Sequence, residues 1–328
     1  MKIGIAYDTP DMYNLGSENN LYYDFAELSS IETLKREIQS LGHQVELIGN
    51  ANHVMQSIIE GNFTCDLIYN TVEGLQSRNR EGLLPAILET FHVPYIGTDA
   101  FGLSLTLDKA MMKIVANHLG ILTPNFRVVS PNQSRDVVFE SLAALHYPVI
   151  LKPNYEGNSS GIVVCDRHED ACAQVTRLLE QYKSQILCEE FIFGKEITVP
   201  LIGNEQETML YGVTTVDIQR NDSFWLDSDA KVFGDYKNII IDLPPLLTTQ
   251  FKEICYKLFT KIGCCDFARF DFRLSGENQI YFIEVNPLPA LFKGGSFDVV
   301  GQIHGYDFAR MLDKIISTAC ERLSIPKT

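Results

Sequence analysis

Residues 265–296 read CDFARFDFRLSGENQIYFIEVNPLPALFKGGS. Two runs of alternating residues flank Ser275-Gly276-Glu277-Asn278, a composition suited to a four-residue turn, so the stretch is expected to form a β-hairpin. In the first run Arg269, Asp271 and Arg273 share one face, and Ala268, Phe270, Phe272 and Leu274 share the other. In the second run Glu284 and Asn286 are expected on one face with Ile280 and Phe282. A four-residue turn sets Arg269 directly opposite Glu284, with Asp271 as its diagonal neighbour. Two carboxylates this close repel and raise each other's pKa unless a cation neutralises them. Oxygen ligands from Asp, Glu and Asn suit Mg²⁺, which completes its shell with phosphates. A plain salt bridge between Arg269 and Glu284 is the competing reading of the hairpin alone.

The bulk properties narrow the classes. The chain has 328 residues, 45% of them hydrophobic, and a formal net charge of -15. That length and balance suit a soluble protein of two or three compact units. The acidic surface disfavours nucleic acid and anionic membranes as partners, and no apolar run approaches a membrane-spanning length. The eight cysteines follow no metal-site spacing and are expected to be reduced thiols in a cytoplasmic protein.

Outward from the hairpin, the first hundred residues alternate strands with helices: Lys2 to Tyr7, a helix opened by Ser29 with Glu32 as a capping box, Val45 to Ile48, His53 to Glu60, Asp66 to Asn70 and Leu83 to Thr90. This pattern predicts a parallel α/β unit whose ligands sit beyond the carboxyl ends of the strands, where Glu27, Glu73, Arg78, Arg80 and Glu81 could face a ligand, although each taken singly reads more simply as a solvated loop charge. A second unit begins near Phe101. The helix Asp108 to Leu119 puts Lys109 and Lys113 four apart on one face, a spacing that solvated lysines share. The strand PVILK ends at Lys152 and runs into a Gly/Ser loop, 153–161, whose backbone N–H groups can fold over a phosphate. Glu189 and Glu196 flank a strand end where a base edge and ribose hydroxyls can be read. The long polar segment Gln219 to Leu243 carries Lys231, and a loop of that length is expected to be a functional lid or disordered.

Together these pieces resemble the ATP-grasp superfamily, and within it the D-alanine–D-alanine ligase branch. The resemblance covers essentially the whole chain. It rests on LTLDK (Leu105 to Lys109), VILKPNYEGNSSGI (Val149 to Ile162), LCEEFIFGKEITV (Leu187 to Val199), ARFDFRL (Ala268 to Leu274) and FIEVNPLPAL (Phe282 to Leu291). It implies a three-part α/β (α+β overall) ATP-grasp fold: an N-terminal α/β substrate unit (1–102), a central ATP-grasp unit (103–188) and a C-terminal one (189–328) that holds the metal and acceptor sites. The reaction it implies is ATP-dependent amide formation between two amino acids through an acyl phosphate.

The resemblance also implies roles. Lys109 and Lys152 hold the ATP phosphates under the loop Glu156, Gly157, Asn158, Ser159 and Ser160. Glu189, Glu190, Phe191 and Ile192 hold adenine, and Glu196 the ribose. Asp271, Glu284 and Asn286 hold two Mg²⁺ ions, for which Mn²⁺ is a compatible substitute. Arg269 stabilises the acyl phosphate, Lys231 closes the lid, Ser159 joins the catalytic set, Glu27 binds the amine of the first substrate, and Ala290 and Ser296 flank the second. The partners implied are small amino-acid-like molecules, with a homodimer left open. The chain departs from the family at Asn158 and Val232, where a serine and a tyrosine hydroxyl are usual, and in the loop before Glu27. These departures set against ordinary D-alanine–D-alanine ligation an altered first substrate. A nucleotide-binding sensor or scaffold is the alternative of another class, and Arg269, which a pure binder does not need, argues against it.

Overall fold

The computed structural model describes residues 1–14, 25–157, 159–205, 209–218 and 236–326. Three sheets carry the fold. Asn158, Lys231 and Val232 lie outside the described residues.

The first sheet is parallel, in the order β2 (Gln44–Gly49), β1 (Lys2–Tyr7), β3 (Leu67–Thr71), β4 (Tyr95–Ile96). β4 is only two residues long and carries no alternation from which to predict it. α1 (Leu28–Ser40), α2 (Ala51–Ile59) and α3 (Leu83–Thr90) connect the strands. The N-cap of α1 is Glu27 rather than the expected Ser29. The Glu27 carbonyl accepts from the N–H groups of Ser30 and Ile31, and Ser29 instead donates its hydroxyl to the Glu27 carboxylate at 3.1 Å.

α4 (Ala100–Leu107) and α5 (Lys109–His118) lead to the second sheet. This sheet is antiparallel: β5 (Phe126–Val129), β8 (Ile186–Glu190), β6 (Val149–Pro153), β7 (Val163–Cys165). α6 (Arg135–Ala143) and α7 (His168–Tyr182) cover one face, with Val138, Leu142, Val175 and Leu178 buried against Val149, Leu151 and Ile186.

The third sheet has six strands. β12 (Tyr236–Ile240), β11 (Thr214–Ile218), β9 (Gly194–Ile202), β13 (Phe267–Ser275) and β14 (Ile280–Asn286) follow in order, and β10 (Leu210–Tyr211) pairs with β9. α8 (Pro245–Ile262) packs Phe251, Cys255 and Phe259 on Phe270, Phe272 and Phe282. The two expected divisions of the chain fall inside elements. The first falls within α4, and the helix that follows it, α5, buries Met112 and Ala116 in the core of the third sheet. The second interrupts β8, which stays paired to β6 as far as Glu190.

The chain then returns to its start. After α9 (Ser296–Ile303), α10 (Phe308–Leu323) lays Phe308, Leu312, Ile315 and Ile316 against Ile3, Ile5, Ile31 and Leu34 of the first unit. Asp266 fastens the same junction. It is fully buried and accepts from the Gly97 N–H (2.8 Å), from Arg322 Nε and Nη2 (2.9 and 2.7 Å) and from Asn204 Nδ2 (3.1 Å).

The cysteines are all free thiols, as expected. Among the described residues no helix is long and apolar enough to cross a membrane.

Candidate active site

The hairpin forms, with its partners shifted from the expected ones. Leu274 pairs with Ile280 rather than Gln279, and a bulge lies between Asp271 and Phe272, so Ile283 is an extra residue in β14. Each adds one position to the register. Arg269 therefore sits opposite Asn286, and Asp271 opposite Glu284. A two-residue shift preserves the faces of β13, because the side-chain period is two. The bulge does separate β14. Ile280 and Phe282 turn into the core, while Ile283 and Glu284 face the cleft. The expected sharing of one face by Ile280, Phe282, Glu284 and Asn286 is thereby corrected.

The cleft, of about 270 Å³, lies between the second and third sheets. β13 and β14 contribute Arg269, Asp271, Arg273 and Glu284; β6 gives Lys152; β8 gives Glu189 and Glu190; the strand-end turn gives Phe191 and Ile192; β9 gives Glu196. Lys109 reaches in from the first residue of α5, Glu156, Gly157, Ser159 and Ser160 from the loop after β6, and Ala290 and Ser296 from beyond the hairpin. Ser296 is the first residue of α9, where helix N–H groups favour an anion.

Local chemistry fixes these positions. Asn154, fully buried, accepts from the Ala110 N–H at 2.9 Å and donates to Asp108 at 2.8 Å, which ties the start of α5 to the loop. Lys109 Nζ donates to the Glu156 carbonyl at 2.6 Å. Ser159 takes φ of +61° and Gly161 +69°; a Cβ on Gly161 would meet the Tyr182 hydroxyl oxygen at 2.6 Å, so a side chain there would displace the loop.

The charges are paired across the cleft. Arg269 Nη2 lies 2.9 Å from Asp271 Oδ2, and Lys109 Nζ lies 3.4 Å from Glu284. Thr198 donates to Asp271 at 3.0 Å, as does Asn286 Nδ2 at 3.0 Å. Each carboxylate of the pair is thus neutralised by a protein cation. Hard oxygen donors set opposite one another, with Lys109 and Lys152 lining the same cleft, fit Mg²⁺. Asp271, Glu284 and Asn286 are the residues that would hold it.

Deeper in, Glu189 sits between two lysines. Lys152 Nζ is 2.6 Å from its Oε1 and Lys113 Nζ 2.6 Å from its Oε2. Burial pushes the Glu189 carboxyl up, but the two ammoniums more than offset this and hold it below the usual range. Lys113, read from sequence as compatible with a solvated face, is wholly buried. Its partner stands far along the chain, so helical spacing alone gave no sign of the pair.

Arg273 shares the cleft face of β13 with Arg269 and Asp271, as strand alternation predicts. It donates to Glu196 Oε1 at 2.8 Å and to the Gly194 carbonyl at 3.2 Å, and its guanidinium lies 5.2 Å from the centre of the Phe191 ring. It therefore props two residues of the cleft wall. Arg273→Met is expected to raise KM for ATP roughly tenfold with kcat little changed, through loss of a charge-assisted hydrogen bond. Steady-state kinetics in varied ATP check it; an unchanged KM would show the contact to be incidental.

Glu190 lines the cleft while bonding His146 and Asn125. Glu27, Glu73, Arg78 and Arg80 do not line it. Glu27 is exposed. Arg80 is buried, and donates to the Glu73 carbonyl (2.8 Å) and carboxylate (3.1 Å) and to the Tyr155 carbonyl (3.5 Å). Arg78 lies 3.3 Å from Asp108. These arginines bracket the first unit to the second. Beside them Tyr13 donates to Asp8 at 2.6 Å, and burial raises the Asp8 carboxyl above its usual range against the lowering by Tyr13.

Comparison with known proteins agrees with this geometry. The family model described as the D-ala D-ala ligase C-terminus matches residues 115–317. The uncharacterized protein y4sG of Sinorhizobium fredii is 30% identical over 79% of this chain and 76% of its own length. The D-alanine–D-alanine ligase of Carboxydothermus hydrogenoformans is 27% identical over 98% of this chain and 99% of its own. Among solved structures, D-alanine–D-alanine ligase from Bacillus anthracis superposes with a TM-score of 0.78 at 19% identity, covering 98% of both chains. VanG D-Ala:D-Ser ligase from Enterococcus faecalis superposes with a TM-score of 0.74 at 19% identity, over 97% of this chain and 99% of its own. The ATP-grasp fold expected from the motifs is the fold of this protein, and the chain belongs to the D-alanine–D-alanine ligase family of ATP-dependent carbon–nitrogen ligases.

Proposed function

We propose that this protein joins two amino acids, or close analogues, through an amide bond, and that its first substrate is not D-alanine. The observation that carries the reaction class is the meeting of Lys109, Lys152, Arg269 and the Asp271–Glu284 pair in one cleft. In this reading Lys109 and Lys152, which both line the cleft, hold the phosphates of ATP. The carboxylate of the first substrate attacks the γ-phosphorus, ADP leaves, and an acyl phosphate results. The amine of the second substrate then attacks the acyl carbon, phosphate leaves with the bonding pair, and the amine loses its proton. Mg²⁺, when bound, neutralises phosphate oxygens through both steps. Arg269 offers a guanidinium to the charge that develops on the acyl group. Ser296, at the start of α9, suits the carboxylate of the second substrate.

The altered first substrate rests on lost hydroxyls. Asn158 and Val232 replace the family's serine and tyrosine, and valine makes no hydrogen bond. Tyr13, one tyrosine able to restore the contact, gives its hydroxyl to Asp8. A site built to hydrogen-bond one substrate rejects others strongly, so exchanging its polar groups changes what enters. The VanG neighbour is named for D-serine as partner of D-alanine, so this fold accommodates more than one pair. Ordinary D-alanine–D-alanine ligation is the second reading, favoured by the near full-length likeness to the Carboxydothermus enzyme.

The test is the identity of the amide formed by purified protein with ATP and Mg²⁺. D-alanine alone is compared with pairwise mixtures of D- and L-amino acids, following phosphate release and product mass. The expected result is a mixed pair that outpaces D-alanine alone by at least about tenfold. D-alanyl-D-alanine as the best product would establish the second reading. No phosphate release with any pair or small carboxylate would remove the ligase reading.

A further inference from the structure

Lys113 lies behind the cleft, four residues after Lys109 on α5, and is completely shielded from solvent. Its ammonium is 2.6 Å from Glu189 Oε2 and donates to Thr123 Oγ1 at 2.9 Å. The second oxygen of the same carboxylate is 2.6 Å from Lys152. One carboxylate thus stands between two ammoniums. Lys152 and Glu189 line the cleft, and Lys113 does not.

A buried carboxylate needs one cation to be neutral. A second buried cation adds a desolvation cost of its own and is repelled by the first. Burial accordingly pulls Lys113 down to about 8, against the opposing pull of Glu189 and the weaker one of Glu284, while Lys152 lowers it further. A surplus cation in such a place is accounted for by an anion that joins the cluster. Without Lys113, Lys152 and Glu189 would form a closed, neutral pair, and Lys152 would have to leave a buried carboxylate to reach a phosphate.

We infer that Lys113 is a positioning residue that holds Glu189 from behind and so leaves Lys152 its net positive charge for the polyphosphate of the nucleotide. The inference rests on the ATP-dependent reading of the cleft and adds a residue outside it. Its signature is selectivity: the loss on removing Lys113 falls on phosphate recognition, not on recognition of the nucleoside.

Calorimetric titration of the full-length protein with Mg²⁺-ATP and with adenosine reads this directly. Lys113→Met is expected to weaken Mg²⁺-ATP by roughly 10–100-fold, the worth of one charge-assisted contact, and to leave adenosine within about twofold. Lys113→Met/Glu189→Gln removes the carboxylate together with its counter-ion, so the ratio of ATP to adenosine affinity is expected to return to near that of the parent. Unchanged ATP affinity in Lys113→Met, or an equal loss for both ligands, would overturn the inference while leaving the ligase reading intact. Should Lys113→Met not fold, the double variant decides alone: a ratio at least about tenfold below the parent's overturns the inference. A parent protein that binds no Mg²⁺-ATP would overturn both readings.

Discussion

Replacing Glu284 by alanine is expected to abolish amide formation while leaving the fold intact. Glu284 stands directly opposite Asp271 at the bulge and is paired with Lys109 across the cleft. Its side chain keeps 26% exposure, so truncation opens no cavity in the core. What it removes is half of the carboxylate pair suited to Mg²⁺, and with it the neutralisation of the transferring phosphoryl group. Charge stabilisation of that kind is worth several kcal/mol, so turnover should fall at least about a thousandfold. Glu284→Gln, which keeps the shape and loses the charge, should fall nearly as far. Phosphate release at saturating Mg²⁺ and a thermal melt of each variant check both halves. Near-normal turnover would show the hairpin face to be structural.

The second large effect concerns Asp266. Asp266→Ala leaves Arg322 without its carboxylate, and the Gly97 N–H and Asn204 without their acceptor, at a fully buried point. Breaking a buried pair by removing one partner costs about 3–5 kcal/mol. The loss falls where the first unit, the third sheet and α10 meet, so the melting midpoint should drop by on the order of 5–10 °C. Asp266→Asn, which retains an acceptor oxygen for Gly97, should lose less. A midpoint for the alanine variant within about 1 °C of the parent's would show that the junction does not depend on this residue.

The hairpin was legible because strand alternation is a local signal: Arg269, Asp271 and Arg273 on one face and Phe270 and Phe272 on the other follow from a period of two. The cleft-lining residues of the loop after Lys152 and of the strand end at Glu189 were legible from motif order. The bulge at Ile283 was not, because an extra residue in a strand looks like any other residue until its partner strand is seen. Lys113 is hidden for a related reason. A charged residue is read as solvated unless its counter-ion is near in sequence, and that of Lys113 is Glu189, brought close only by the packing of a helix on a separate sheet. The altered first substrate turns on Asn158 and Val232, which lie outside the described residues, so for it the sequence comparison still carries the argument.

The return of α10 to the first unit has a consequence for synthesis on the ribosome. Domains generally fold in the order in which they emerge. The first parallel sheet is complete in sequence by Ile96, yet Ile3, Ile5 and Ile31 share their core with Phe308, Leu312 and Ile315. Until those residues leave the exit tunnel, the nascent first unit carries an uncovered apolar face and an Asp266 site with no arginine. Final closure of the first unit therefore waits for α10, and ribosome-stalled chains ending before α10 should bind chaperones and resist the compaction that a chain carrying α10 attains.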